Sequence, residues 1–302
     1  MPHLKDIVAF LDARVEELSE NRIVVENALS ITDPSFNEMA IGWCSDANLD
    51  IIPTLLAGNV IVSKDAIEKI DLSSIDVLLI AVDHPRRAFM KVLQHFFAEK
   101  PLFGSIHPSA VIDPSVQLNK NAVSVAANVV IEKGSVLGNN VVIGANTVVK
   151  SHTKIGDNCS IGSNCTIGGV GFGYEMDEDG NYDLMPHIGN VVLHNNVEIG
   201  NNVCIDRAVM GSTILHENVK VDNLVHIAHG VVIGKNSLII ANAMIAGSVT
   251  IGENVWVSPS ASVRQKLTIG DKSLVGLGSV VVKNVQEETV VAGNPAKVFD
   301  KK

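Results

Sequence analysis

Residues 215–281 read LHENVKVDNLVHIAHGVVIGKNSLIIANAMIAGSVTIGENVWVSPSASVRQKLTIGDKSLVGLGSVV. Every sixth residue is aliphatic: Leu215, Val221, Ile227, Ile233, Ile239, Ile245, Ile251, Val257, Val263, Ile269, Val275 and Val281. An α-helix repeats every ~3.6 residues and a lone strand every second residue, so neither gives this pattern. A period of six belongs to a parallel β-helix whose short flat faces meet at tight corners. Three hexads make a triangular coil of eighteen residues, with one aliphatic side chain per face turned to the axis. Residues eighteen apart therefore stack one above the other.

Working outward, the same period runs through Val125, Ile131, Leu137, Ile143, Val149, Ile155, Ile161 and Ile167, and briefly through Leu193, Ile199 and Ile205. Glycine often follows the aliphatic residue, as at Gly144, Gly156, Gly234 and Gly252. The period fails between Gly168 and Ile188, where GVGFGYEMDEDGNYDLMPH holds both tyrosines. This stretch, near 169–188, reads as a loop expelled from one corner. A smaller break at Asp206–Ile214 shifts the register again.

Residues 1–104 lack the period and read as a small α/β domain; residues 105–302 form the solenoid, which starts near Ile106. Leu4, Ile7, Val8, Leu11 and Val15 lie at helical spacing and predict an opening amphipathic helix. DVLLIAV, residues 76–82, predicts a buried strand. HPRRAFMKVLQHFFAEK after it predicts a helix with Pro85 in the first turn and Ala88, Val92, Leu93 and Phe96 on its apolar face.

Hydrophobic residues make up 46% of the chain but aromatics only 4%, so Val and Ile fill the core, as narrow β-coils require. The net charge of −10 speaks against nucleic acid or an anionic membrane as a partner. No signal peptide is recognised, and no apolar run approaches the ~18 residues of a membrane span. A cytoplasmic protein without stable membrane insertion is expected. Cys44, Cys159, Cys165 and Cys204 show no CxxC zinc spacing. Cys159 and Cys165, one hexad apart, fall on different faces and are expected to be small core residues.

VDNLVHIAHGVVIG, residues 221–234, is the densest candidate for chemistry. With Ile227 turned inward, His229 comes two residues later, near a corner, where a neutral imidazole can serve as a general base. Asn223 precedes it by one hexad. Gly247 follows by eighteen, and its backbone N–H, with no side chain in the way, is a candidate oxyanion donor. GGVGFGY, residues 168–174, is no dinucleotide fingerprint, since neither a βαβ unit nor a following helix surrounds it. Its Gly171, Phe172, Gly173 and Tyr174 are candidates for a backbone that approaches a ligand, against a flexible excursion. A homotrimer is the natural state of such a rod, because clefts between neighbours supply the concavity that a convex surface lacks.

Six segments carry a family resemblance: HPRRAFMKVLQHFF (84–97), IHPSAVIDPSV (106–116), IGGVGFGY (167–174), VEIGNNVCIDR (197–207), VKVDNLVHIAHGVVIG (219–234) and IAGSVTIG (245–252). In their order and spacing the chain resembles the UDP-3-O-acylglucosamine N-acyltransferases of lipid A (lipopolysaccharide) biosynthesis, within the hexapeptide-repeat acyltransferases. The resemblance implies a left-handed parallel β-helix, a homotrimer and an N-terminal nucleotide-binding domain. It implies His229 as general base, Asn223 of the Asp222–Asn223 pair beside it, and Gly247 as oxyanion donor. His226, Asp222 and the 171–174 segment then fall to substrate binding, and Trp43 to stacking on the nucleotide base. The chain departs from the family in three places. No Tyr follows Trp43 within a few residues, a second His about two coils after the base is replaced by Gln265 and Lys266, and the stretch after AGNPAKVF matches no helical extension.

The expected activity is acyl transfer from a thioester to the amine of a nucleotide-linked amino sugar, with no bound cofactor and no metal. Both acyl carrier protein and coenzyme A stand open as donor. The alternative within the class is a coenzyme A-dependent N-acetyltransferase of a nucleotide-amino sugar for surface polysaccharide. Two rivals lie outside it: a trimeric zinc enzyme like the gamma-class carbonic anhydrases, and a non-catalytic trimer. The zinc reading needs three facing histidines, and His194 and His216 do not stack with His229 at eighteen-residue spacing.

Overall fold

The computed structural model describes residues 1–15 and 23–299. The chain divides into two compact units, Met1–Lys100 and Pro101–Lys302.

The first unit opens with α1, Leu4–Leu11, which buries Leu4 and Ile7. The helix predicted as far as Val15 stops earlier, because Asp12 takes a left-handed conformation at φ 48°. Val15 instead lies in β1, Arg14–Val15, which pairs antiparallel with β5. β2 (Asn27–Ala28), β3 (Ala40–Trp43), β4 (Asn59–Ser63) and β5 (Leu78–Val82) run parallel, in the order β1-β5-β4-β3-β2. All of β4 is buried, and its one strongly polar side chain is satisfied: Asn59 Nδ2 donates to the carbonyls of Glu38 (3.0 Å) and Ala40 (2.9 Å). After β4 comes the short α2, Lys64–Ile67, capped by the Ser63 hydroxyl. α3, Pro85–Val92, starts on Pro85 and buries Ala88 and Val92, then continues as a wider π turn through Phe97.

The second unit is a parallel β-helix. Strands of two to four residues stack into three parallel sheets. Each face alternates out and in, as in Thr250–Ile251, with Thr exposed and Ile buried. Val221, Ile239, Val257 and Val275 stand in register eighteen apart on one face. A second inward column lies two positions before the first. It mixes Val129, Thr147, Cys159, Cys165, Ser237, Ala243 and Ser279, all buried. Their polar atoms pair with the backbone: Thr147 Oγ1 donates to Gly162 O at 2.7 Å, Cys159 Sγ donates to His194 O at 3.0 Å, and Ser279 Oγ accepts from the Gly293 N–H at 3.1 Å. Burial pushes both the Cys159 and the Cys165 thiol up from the usual range, which makes them inert packing. All four cysteines are free. Asparagine in the left-handed region turns many corners, and its side chains form ladders such as Asn128–Asn146–Asn164.

The two breaks in the period leave the columns whole. Ile155 pairs with Leu193, thirty-eight positions on rather than eighteen, so twenty residues are extruded at one corner. They are not a structureless loop: Tyr174–Met176 and Tyr182–Leu184 form an antiparallel hairpin. Ile205 then pairs with Ile227 at a separation of twenty-two, so the second break adds four residues.

Candidate active site

His229 sits at the corner after the strand His226–Ile227, next to Gly230, which turns the chain at φ 69°. One coil later Gly247 lies over its ring. A Cβ at Gly247 would stand 2.7 Å from both Cε1 and Nε2 of His229, so a side chain there would displace the His229 ring. The coils are locked together here by Ser248 N–H to His229 O (2.9 Å) and Lys266 N–H to Gly247 O (3.0 Å).

The Gly247 amide is one of several in its corner position, with those of Ala145, Lys235 and Leu277, that have no acceptor among the described residues. At five corners the N–H in this position is captured by an Asp or Asn side chain stacked in the next coil. Asn139 donates to Asp157, Asp157 to Asn195, Ser163 to Asn201, Asn201 to Asn223, and Glu253 to Asp271, at 2.7–2.9 Å. Above Gly247 stands Gln265, and among the described residues the Gly247 N–H has no acceptor. A free amide beside an imidazole is what an acyl-transfer site needs to hold an oxyanion.

A cleft of about 300 Å³ opens on these atoms, lined among others by Phe172, Asp206, His229, Gly247, Gln265 and Lys266. The structure thus brings His229, Gly247 and Phe172 together. Gly171 packs against His229, where a Cβ would come within 2.9 Å of His229 Cβ. Phe172 is largely exposed and packs on Tyr174 with ring centroids 4.9 Å apart. His226 points outward from its strand, with Nε2 3.7 Å from Asp206 Oδ2.

Asp222 and Asn223 lie at a different corner. Asn223 Oδ1 accepts from the Asn201 amide at 2.7 Å, and Asp222 accepts from the Asn223 and Ala241 amides. Together they line a separate groove with Glu198 and Lys220, and within one chain they do not meet His229. His194 and His216 stack on each other, centroids 4.9 Å apart, on the face that holds Leu193 and Leu215. Among the described residues no group of three His, Cys, Asp or Glu converges as metal ligands.

Trp43 belongs to the first unit. It ends β3, half-buried, and lines a cleft of about 1130 Å³ with Ser45, Ser63, Asp83, His84 and Arg86. These residues follow the carboxyl ends of the parallel strands β3, β4 and β5, where open α/β sheets hold their ligands.

Two residues of the site were not anticipated. Asp206 lines the cleft, and burial pushes its carboxyl up from the usual range against the pull of His226, His229 and His187. His187 is buried at the end of the extruded segment, with its ring edge-to-face with His229 and centroids 5.3 Å apart. Its Nδ1 meets Met185 O at 2.7 Å, and its Nε2 is the one buried side-chain N or O without a partner among the described residues. Leaving such an atom unpaired costs about 1–3 kcal/mol. His229 itself is held below the usual imidazole range, first by burial and then by His187, with Asp206 opposing. It is therefore neutral at pH 7 and able to accept a proton.

The chain matches the bacterial transferase hexapeptide (six repeats) family at residues 134–169 and 212–247. It is 44% identical over 181 residues to UDP-3-O-acylglucosamine N-acyltransferase 1 of Legionella pneumophila (strain Paris), covering 54% of this chain and 51% of that one. This chain thus spans about half the length of that relative. It is 33% identical over 262 residues to UDP-3-O-acylglucosamine N-acyltransferase 1 of Francisella tularensis subsp. holarctica, covering 80% and 75%. Among solved structures it is similar to LpxA from Acinetobacter baumannii, with TM-score 0.58, 25% identity, and 64% of this chain and 73% of that one covered. A parallel β-helix whose coils carry the hexapeptide period, matched over four-fifths of its length to a named relative, places the chain in the UDP-3-O-acylglucosamine N-acyltransferase family.

Proposed function

We propose that this protein transfers an acyl group from a thioester to the amine of a nucleotide-linked amino sugar, as in UDP-3-O-acylglucosamine N-acylation. The observation that carries the reading is the pairing of a neutral His229 with the unclaimed N–H of Gly247 stacked over it. The neutral amine attacks the thioester carbonyl and forms the C–N bond. His229 accepts the amine proton, and the Gly247 N–H holds the negative oxygen of the tetrahedral intermediate. That intermediate collapses with cleavage of the C–S bond, and the imidazolium returns its proton to the departing thiolate. No acyl-enzyme is formed. Cys204 is not the nucleophile: burial and Asp206 push its thiol up, away from the thiolate. Holding both reactants in one cleft supplies much of the rate, since effective molarities can remove about 7–11 kcal/mol of barrier.

The coil is left-handed in this reading, and the protein works in the cytoplasm as a homotrimer. Asp222 and Asn223, which do not meet His229 within one chain, join it across a subunit boundary, with His226 and the 171–174 segment contacting substrate. The Trp43 cleft takes the nucleotide base, and no cofactor or metal is held. The deciding experiment is an acylation assay over UDP- and dTDP-amino sugars with acyl carrier protein and coenzyme A thioesters. Product with an acyl carrier protein donor and a UDP-glucosamine acceptor is expected. Product only with short coenzyme A thioesters would move the protein to nucleotide-sugar N-acetylation. No product in any pairing would sink the reading.

A further inference from the structure

Both breaks in the hexad period meet beside His229. The first begins where the chain leaves the coil after Ile167. Gly168 turns there at φ 92° and forms a bulge, with Ile167 opposite Ile205 and Gly169 opposite Asp206. The second break, Asp206–Ile214, holds the first at both ends. Arg207 Nε donates to Gly168 O, and the Arg207 backbone N–H donates to Gly169 O, each at 2.8 Å. The guanidinium reaches on to Ser151, two coils earlier, with its O at 3.4 Å and its Oγ at 3.4–3.5 Å. At the returning end the amides of Ile188 and Gly189 donate to the carbonyls of Val209 (2.9 Å) and Ala208 (3.1 Å). From the same insertion the buried Thr213 hydroxyl donates to Asp206 O at 2.7 Å and accepts the N–H of Gly230, next to His229, at 2.9 Å. Between these anchors runs one wall of the cleft. Gly171 is buried there, with room for a Cβ only 2.9 Å from His229 Cβ, and Phe172 lines the opening.

We propose that Arg207 is a positioning residue for acyl transfer: its bonds to Gly168 and Ser151 clamp the root of the extruded segment, and so hold Gly171 and Phe172 against His229 as the wall of the cleft. The inference rests on His229 being the base. Only a guanidinium carries a rigid fork of donors that spans two neighbouring strands in this way. Its charge acts elsewhere. Against the cost of burial, hydrogen bonds from Lys150 and Ser151 and the charges of Lys150 and Arg207 hold the Glu132 carboxyl below the usual range. His229 is shifted by burial, His187 and Asp206. His226 faces it through Asp206, and Lys266 lies across the cleft. Loss of Arg207 therefore reaches His229 through the place of the wall, not through a lost charge.

The test compares Arg207→Met, which keeps the bulk without donors, with Arg207→Lys, which keeps the charge without the fork. Ring ¹⁵N NMR of the intact chain reads the titration midpoint of His229. A loosened wall lets water back onto the ring, so the midpoint should rise toward 6.5 in both variants. KM should rise roughly tenfold in both, because ordering a loose wall on binding costs affinity. At the pH plateau kcat should stay within about threefold of wild type, since the coil ladder still holds His229 and Gly247 and only binding shared by ground and transition states is lost. Ser151→Ala trims the fork alone and should move KM and the midpoint the same way by less; it decides the matter if neither Arg207 variant gives soluble protein. An unmoved midpoint and KM in Arg207→Met, or in Ser151→Ala where that is the only soluble variant, would overturn the proposal. A fall in kcat with both unmoved would do the same, by limiting Arg207 to the fold, and so would an Arg207→Lys enzyme that matches wild type. His229→Ala, measured in parallel, separates the two readings. Full turnover there removes the base assignment and leaves the role of Arg207 standing or falling on the NMR midpoint.

Discussion

An imidazole drawn partly out of water loses its proton more readily than one in bulk solvent, and His229 is drawn out in this way. Because its proton affinity is depressed, the neutral base predominates at pH values above a midpoint that lies below 6.5, the ordinary value. The turnover rate should rise with pH through that midpoint and level off before neutrality; a midpoint above 6.5 would contradict the assignment. His229→Ala should lower turnover by roughly 10²- to 10⁴-fold, with little effect on melting temperature. His226→Ala should cost far less, since that ring points away along its strand and meets only the edge of the site through Asp206. Asp206 and His187 escaped the reading of the sequence for separate physical reasons. Asp206 stacks beneath the site only after allowance for four extra residues, which displaces it from the eighteen-residue address. His187 lies in the extruded segment, where no period applies and position in the chain says nothing of position in space.

Whole strands are legible where one requirement repeats in every hexad. The inward aliphatic column is of that kind, and Ile239 is fully buried in it. Ile239→Asp should place an uncompensated carboxylate on the apolar axis at a cost of several kcal/mol, read as a large fall in melting temperature or loss of soluble protein. Apart from Cys159 and Cys165, the second inward column escaped notice because Val, Ala, Cys, Ser and Thr all fit there, so composition carries no signature. α1 was read too long for a related reason. Val15 keeps helical spacing, but Asp12 turns left-handed and starts a strand, and spacing cannot reveal a backbone conformation. The hairpin at 174–184 hangs outside columns that run unbroken past it. In the N-terminal unit the strand ends of β3, β4 and β5 gather Trp43 with the Ser63 and His84 region. Trp43→Ala should weaken acceptor binding by about 1–3 kcal/mol if the ring stacks on the base; titration with the nucleotide sugar reads this directly.

At the scale of the molecule, the two clefts differ in size: the one beside His229 in the β-helix holds only about 300 Å³, against about 1130 Å³ for the Trp43 cleft in the first unit. Light scattering should report a trimer at micromolar concentration, and a monomer with full activity would show that one chain suffices. The rod is held together along its edges by repetition: amides at five corners are tied down by an Asp or Asn from the next coil. The Gly247 corner lacks that tie, because the residue above is Gln265. Gln265→Asn should supply the missing tie, raising the melting temperature by a few degrees through a bond worth about 1 kcal/mol, while occupying the amide that the oxyanion needs and lowering turnover. The same hydrogen could thus serve as mortar or as catalyst but not as both. Durability and activity in this protein would then compete for one bond at one corner, so a search for hardier variants by corner consensus should return well-built, slow enzymes.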